Sequence, residues 1–314
     1  MRAVTIVDGS LVWREHPNPE PADGEVLIAV RCAGLNSADL LQRQGFYPAP
    51  PGAPADIPGL EVAGEVVALG RGAMRFAVGD RVMAVVGGGA QAQLLSVDER
   101  SAMAVPDAVS WEEAGGFPEA FTTSYDALFS QCQIAIGDKV LVTGAAGGVG
   151  SAAVQLVAAS GAVATASVRS DELRDAVVAL GAKEALEPEE ALGRGPFDVA
   201  LELVGGPSLP GVLRAMSTGG RIAVIGVGGG ASTELDLLAL MHRRARISGS
   251  TLRARSATEK AVVASAVEAH VVPLLASGIL KVPIAATFAM EDAADAYERF
   301  AAGTKLGKIV LITQ

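Results

Sequence analysis

The stretch Lys139 to Gly150, KVLVTGAAGGVG, constrains the fold more than any other. Lys139 to Thr143 is a short β-branched and apolar run, as suits a strand buried on both faces of a parallel sheet. It meets Gly144, Gly147, Gly148 and Gly150. With no Cβ, glycine lets the backbone turn tightly and bring N–H groups against an anion at the start of the next helix. Val149 to Ala159 supplies that helix, with Val149, Ala152, Ala153, Leu156 and Val157 as its apolar stripe. The glycines run G-x-x-G-x-x-G rather than G-x-G-x-x-G, which leaves two readings: an ordinary strand-to-helix turn, or a seat for a dinucleotide pyrophosphate.

The surrounding chain favours the second. Met1 to about Ala104 is β-rich: Glu25 to Ala33 and Gly64 to Ala68 alternate in part, Arg81 to Val86 is another short strand, and Pro/Gly clusters at Pro17 to Pro21 and Pro48 to Gly52 interrupt them. Ser37 to Gln44 is the one clear helical pattern there. A small, partly closed β domain follows. From about Ser110 the period changes. Trp111 to Phe129 reads as a helix, and strands at Lys139 to Thr143, Val163 to Ser167, Phe197 to Val204, Arg221 to Gly226 and Arg246 to Leu252 alternate with helical segments such as Asp171 to Leu180 and Leu209 to Ser217. That alternation predicts a doubly wound parallel sheet of Rossmann type. Ala257 to Ser277 reads as one long helix, and a last strand, Lys308 to Thr313, is expected to return to the first domain.

Composition narrows the function. At 314 residues, half hydrophobic and 19% charged, the chain can bury two cores. Its mean hydropathy of +0.37 comes from dispersed alanine and valine. The longest uncharged stretch, Val140 to Val168, is crossed by glycines and by Ser151, Gln155 and Ser160, so no transmembrane span is expected. A net charge of −10 argues against nucleic-acid or anionic-membrane partners, and the one basic cluster, His242-Arg243-Arg244 with Arg246, is short. The N-terminus MRAVTIVDGS shows no leader pattern, and Cys32 and Cys132 lie in no paired motif, so a cytoplasmic protein with reduced thiols is expected.

The second strand reads VATASVRSDE. An acidic residue at its tip would hold the ribose hydroxyls of NADH, but Ser167, Val168, Arg169 and Ser170 come first and the acid waits until Asp171. A guanidinium pairs with a 2′-phosphate that a carboxylate would repel. The expected cofactor is therefore NADPH, with Ser167 and Arg169 on the phosphate; the alternative is that Arg169 is a surface residue before a helix.

With these residues in place, the chain resembles the medium-chain dehydrogenase/reductase superfamily, and within it the zinc-free quinone oxidoreductases, in the branch that includes the p53-inducible quinone oxidoreductase. The resemblance rests on AGLNSADLLQRQGFYPAPPG (Ala33 to Gly52), PGLEVAGEV (Pro58 to Val66), VGDRVMAVVGGGAQAQ (Val78 to Gln93), PEAFTTSYDALF (Pro118 to Phe129), VTGAAGGVGSAAVQL (Val142 to Leu156), GSTLRARS (Gly249 to Ser256) and GKIVL (Gly307 to Leu311). It implies a GroES-like catalytic domain over residues 1–117 and 273–314 and an NADPH-binding Rossmann domain over 118–272, with the cofactor in the cleft. It places Asn36 and Tyr47 near the nicotinamide and substrate. It sets Thr123 at the nicotinamide end, Gly144 with Ala146, Gly147, Gly148 and Val149 at the pyrophosphate, and Gly226, Val227, Thr251 and Leu252 around the nicotinamide. The family's tyrosine near the adenosine phosphate has no counterpart in AKEALEPEE, and Ser167 to Leu180 needs a small gap to align.

Zinc-dependent relatives place a Cys and a His where this chain has Asn36 and Leu60, and the chain has no run of four cysteines. His16, His242 and His270 are scattered. No metal is expected, and alcohol oxidation loses its Lewis acid. A quinone needs less help: hydride can add if the rings are held close, and the oxyanion formed is delocalised. Asn36 could donate a hydrogen bond to the acceptor oxygen or fix its own turn. Tyr47 could donate a hydrogen bond or proton, stack on the acceptor, or simply shield the cleft. The other readings are a reductase of enones or enoyl thioesters, for which no basic groove is evident near the N-terminal blocks, and a non-catalytic NADPH-binding sensor or structural protein. A homodimer through strand Arg246 to Leu252 is expected, as it would hide an exposed edge.

Overall fold

The computed structural model describes residues 1–313. The chain folds as two compact units. Met1–Thr122, Leu252–Gly303 and the strand from Lys308 form the first, and Thr123–Thr251 with Thr304–Gly307 form the second. The second crossing therefore falls at Leu252, earlier than the expected change at Val272.

The first unit is built on a seven-stranded sheet. Its path runs Ile284–Ala289, Lys308–Ile312, Glu25–Gly34, Glu61–Leu69, Arg81–Val85, Ala102–Ala104, and Leu94–Asp98 also pairs with Glu25–Gly34. Only the first pair is parallel. Alternation explains the register: Val26, Ile28 and Val30 are buried on one face, while their neighbours are partly exposed. Val26, Ile28 and Val30 meet Leu35, Val62, Val66, Tyr297 and Ile309 in one core. The hairpin Arg2–Val7 and Ser10–Glu15 is a separate two-stranded sheet that packs on the same core through Val4, whose N–H donates to the Gln91 carbonyl at 2.8 Å.

The second unit is a six-stranded sheet, parallel throughout. Its order is Glu184–Leu186, Val163–Ser167, Lys139–Val142, Phe197–Glu202, Met216–Val224, Arg246–Gly249. Val140, Leu141 and Val142 are fully buried, as a central strand covered on both faces requires. The chain passes from Lys139–Val142 outward to one side and then returns to build the other, so strand order reverses beside Gly144. Ligands of open α/β sheets bind at such a reversal, beyond the carboxyl ends of the strands.

Two expected helices are interrupted. Trp111 to Phe129 is three pieces, Trp111–Gly116, Pro118–Tyr125 and a wider π-type turn Asp126–Gln131, since Pro118 lacks the N–H to continue the first. Ala257 to Ser277 divides into Ala257–His270 and Val272–Ala276, with Pro273 in the first turn of the second. The strand expected at Arg246 to Leu252 stops at Gly249. No helix among the described residues is long and apolar enough to cross a membrane.

Candidate active site

In the second unit the glycine turn takes the form an anion site requires. Gly144 has φ +59°, a backbone state most side chains resist, and lies exposed after the buried Thr143. Gly147 caps helix Gly148–Ala159 with no side-chain bond to its first turn, which leaves the first N–H groups, those of Gly148 and Val149, without a bonded acceptor among the described residues and open to a ligand. A Cβ on Gly150 would overlap the Gly144 carbonyl oxygen and stand 2.6 Å from the Ala145 Cα, so only glycine lets the helix start this close against the turn. Ala146, Gly147, Gly148 and Val149 are half-buried, open enough for contact. These features fit a dinucleotide pyrophosphate.

Two further strand ends support the turn. The Ser167 carbonyl accepts the Ala145 N–H at 3.2 Å, joining the tip of the second strand to the glycine turn. Arg169 is exposed there, with no acidic partner among the described residues. Arg174, which sequence reasoning missed, donates through Nε to the Val168 carbonyl at 3.3 Å and pairs with Asp171 at 2.8 Å, so a second guanidinium stands at the same strand end. On the other side, the fully buried Glu202 was also missed. Its Oε1 accepts the N–H groups of Val204 and Gly205 at 2.7 and 2.8 Å and the Thr143 hydroxyl at 3.1 Å, while Oε2 accepts the Ser208 hydroxyl. This one carboxylate holds together the loop that faces Gly144, whose ideal Cβ would meet Leu203 at 3.5 Å.

The remaining expected cofactor contacts are spread over loops, a helix and both units. Gly226 is packed so tightly on the Leu203 main chain that a Cβ would collide with it, and Val227 beyond it is 45% exposed. Thr123 is buried in helix Pro118–Tyr125, where its neighbour Ser124 donates to the Val149 carbonyl at 2.8 Å. Thr251 is exposed. Leu252 belongs to the first unit, buried in a small void that also touches Thr122, Met103 and Lys260.

In the first unit, Asn36 and Tyr47 flank helix Ser37–Arg43. This short helix turns Asp39 and Gln42 inward. Asp39 accepts the N–H of Asn36 at 2.8 Å and of Gly59 at 3.1 Å, and burial raises its carboxyl to about 6 against those bonds and the charge of Lys308. Asn36 itself is spent inside the chain. Its Oδ1 accepts from Lys308 Nζ at 2.6 Å and its Nδ2 donates to Glu61 Oε1 at 2.9 Å. Lys308 also reaches Glu61 Oε1 at 2.6 Å and the Leu35 carbonyl at 2.8 Å, and Glu61 Oε2 takes the Glu119 N–H at 2.9 Å.

Thus the polar centre beside Asn36 is an ammonium, a carboxylate and an amide that satisfy one another, next to the buried alkyl chain of Leu60. No group of three or more His, Cys, Asp and Glu side chains is placed to hold a metal ion among the described residues. Cys32 lies in the core, its thiol pushed up by burial and by Glu112 and Glu61, so it stays protonated.

Tyr47 differs from Asn36. Its carbonyl accepts from Arg253 Nη1 at 2.8 Å and its ring lies under that guanidinium at 4.9 Å, but its hydroxyl has no partner among the described residues. It is half-buried, beside the 77% exposed Phe46. A hydroxyl so placed can donate to a ligand oxygen.

Known proteins share this architecture. Residues 22–129 match the alcohol dehydrogenase GroES-like domain, and residues 146–311 match a family model described as zinc-binding dehydrogenase. The quinone oxidoreductase of Rattus norvegicus is 30% identical over 306 residues, covering 94% of this chain and 91% of the relative. Polyketide synthase GfsB of Streptomyces halstedii is 40% identical over 212 residues, 65% of this chain but only 4% of that protein. A mycobacterial protein solved in complex with NADPH shares the fold at a TM-score of 0.87 and 24% identity, covering 99% of this chain and 100% of its own. With both halves of the chain matched and a full-length relative at this identity, the chain belongs to the medium-chain dehydrogenase/reductase family, in its quinone oxidoreductase-like group, and is an oxidoreductase of that family.

Proposed function

We propose that the chain reduces quinones with NADPH and without a metal. The observation that carries this reading is the contrast between the two acceptor-side residues: the Asn36 amide is bonded at both ends to Lys308 and Glu61, while the Tyr47 hydroxyl is unspent. An ammonium, an amide and the Leu60 alkyl chain are poor ligands for zinc, so the acceptor has to be one that takes hydride without Lewis-acid help. Quinones meet that condition, and the rat relative carries the name quinone oxidoreductase.

NADPH supplies hydride from its nicotinamide when bound. The chain's part is to bind, orient and supply a proton. The uncapped N–H groups at Gly148 and Val149, with Ala146 and Gly147, take the pyrophosphate. Arg169 and Ser167, with Arg174 beside them, take the 2′-phosphate. Thr123, Gly226, Val227, Thr251 and Leu252 are the residues assigned to the nicotinamide end. Tyr47 donates to the acceptor oxygen as negative charge develops there. Asn36 stays fixed as an ordered polar wall.

A second reading has one observation in its favour. The identity to a polyketide synthase raises a reductase of enoyl thioesters, for which the same hydride delivery serves. NADPH oxidation followed with an ortho-naphthoquinone, para-benzoquinone, an enone and an enoyl thioester separates the two. Quinones turned over with the highest kcat/KM support the proposal; faster turnover of the thioester replaces it, and no turnover with any acceptor leaves a binding protein.

The proposed assembly is a homodimer. Arg246–Gly249 is an edge strand with one side unpaired, and Leu237, Leu238 and Met241 of the preceding helix are each more than 60% exposed.

A further inference from the structure

We propose that Arg253 is the positioning residue of the acceptor side, a clamp that holds the loop carrying Tyr47 so that its hydroxyl is presented to the acceptor oxygen. The inference rests on the reductase reading for its catalytic consequence, although the clamp itself is a property of the fold.

Arg253 is 5% exposed. Its three donor directions go to three separate segments: Nε to the Gly87 carbonyl at 2.8 Å, Nη1 to the Tyr47 carbonyl at 2.8 Å, and Nη2 to Gln42 Oε1 at 2.5 Å. Gln42 passes the connection on, donating to the Ala55 carbonyl at 3.2 Å. One guanidinium therefore ties the helix before the loop, the loop itself and a second loop, and reaches the loop's far end through Gln42.

The loop needs such a tie. Gly45 and Gly52 have positive φ, and Pro48, Pro50 and Pro51 have no N–H to contribute. The Tyr47 ring adds a cation–π contact to the same group. No carboxylate bonds Arg253 directly among the described residues, and burial lowers its affinity for its proton against the more distant charges of Asp39 and Glu119. If packing were its only task, an apolar side chain of similar volume would serve at less cost. The planar fork reaches three acceptors at fixed angles, which a lysine cannot do.

The test uses two independent readouts. Limited chymotrypsin digestion reports the loop directly, because Phe46 is exposed and the following Tyr47–Pro48 bond resists cleavage. In Arg253→Met, cleavage after Phe46 is expected to accelerate roughly tenfold or more at temperatures well below global unfolding. The kcat for quinone is expected to fall on the order of a hundredfold, with the NADPH Kd held within about twofold. Arg253→Lys should lie between the two, and it decides the matter by the same readouts should the methionine variant fail to fold.

In a Tyr47→Phe background the kcat penalty of Arg253→Met should largely vanish, since the hydroxyl it positions is already gone. Wild-type cleavage and kcat in both Arg253 variants would overturn the clamp, and an undiminished kcat penalty in the Tyr47→Phe background would overturn its action through Tyr47. Failure of the wild-type protein to reduce quinones would instead strike the reductase reading, with the cleavage result still deciding the clamp.

Discussion

The ammonium of Lys308 stands 2.6 Å from Oε1 of Glu61, with 4% and 0% of the two side chains exposed. Each charge is made tolerable by the other, and Asn36 is bonded to both. Removing one partner leaves the other buried and uncompensated, a loss of about 3–5 kcal/mol. Lys308→Met should therefore lower stability by that order in urea unfolding. The double variant Lys308→Met/Glu61→Gln should recover part of the loss. A single variant as stable as wild type would contradict the mutual dependence of the two charges.

Asp39 gives a pH signature. Burial holds its carboxyl near 6 in the folded chain, above the ordinary value of 3.8. The folded state then binds a proton that the unfolded state has lost, so this contribution is full below about pH 4 and disappears as pH rises through about 6. The difference corresponds to about 3 kcal/mol. Asp39→Asn, which cannot ionise, should gain on wild type by up to that amount between pH 4 and pH 7. A stability difference that stays constant with pH contradicts the assignment.

Arg169 should set cofactor preference. A charge-assisted contact to a 2′-phosphate is worth about 1.5–3 kcal/mol, so if Arg169 makes the proposed one, Arg169→Ala should raise the KM for NADPH roughly tenfold to a hundredfold. The KM for NADH should stay the same. An unchanged ratio of the two would show that Arg169 is only a surface residue and would shift attention to Arg174.

Gly150 has no room for a methyl group, because its Cβ would stand 2.6 Å from the Ala145 Cα. Gly150→Ala must move the turn away from the helix start, and NADPH affinity measured by fluorescence titration should fall by at least about tenfold. Retained affinity would mean that the pyrophosphate is not seated on this turn.

The parallel sheet was legible in the sequence because each of its central strands is a short apolar run with its own local signature. Val140 to Val142 and Val199 to Leu201 are such runs, and both are buried. The glycine turn was legible for the same local reason. The helix breaks at Pro118 and Pro273 were visible as prolines, but apolar periodicity on either side carried the reading through them.

What could not be read was everything that depends on distant pairing. Asn36 bonds to Glu61 across 25 positions and to Lys308 across 272, so no spacing rule joins them. Asn36 therefore read either as a donor to the acceptor oxygen or as a turn residue, and its bonds to Lys308 and Glu61 were visible from neither reading. Arg253 and Tyr47 are 206 apart, and Glu202 reads as an ordinary acid at the end of a strand until the loop closes over it.

Metal-free hydride transfer from NADPH to a quinone is tested most directly by quinone-dependent NADPH oxidation, measured on protein stripped with a strong chelator and checked for metal content. The metal-free protein is expected to keep an undiminished rate and to gain nothing on adding zinc. A rate lost on stripping and restored by zinc would contradict metal-free transfer.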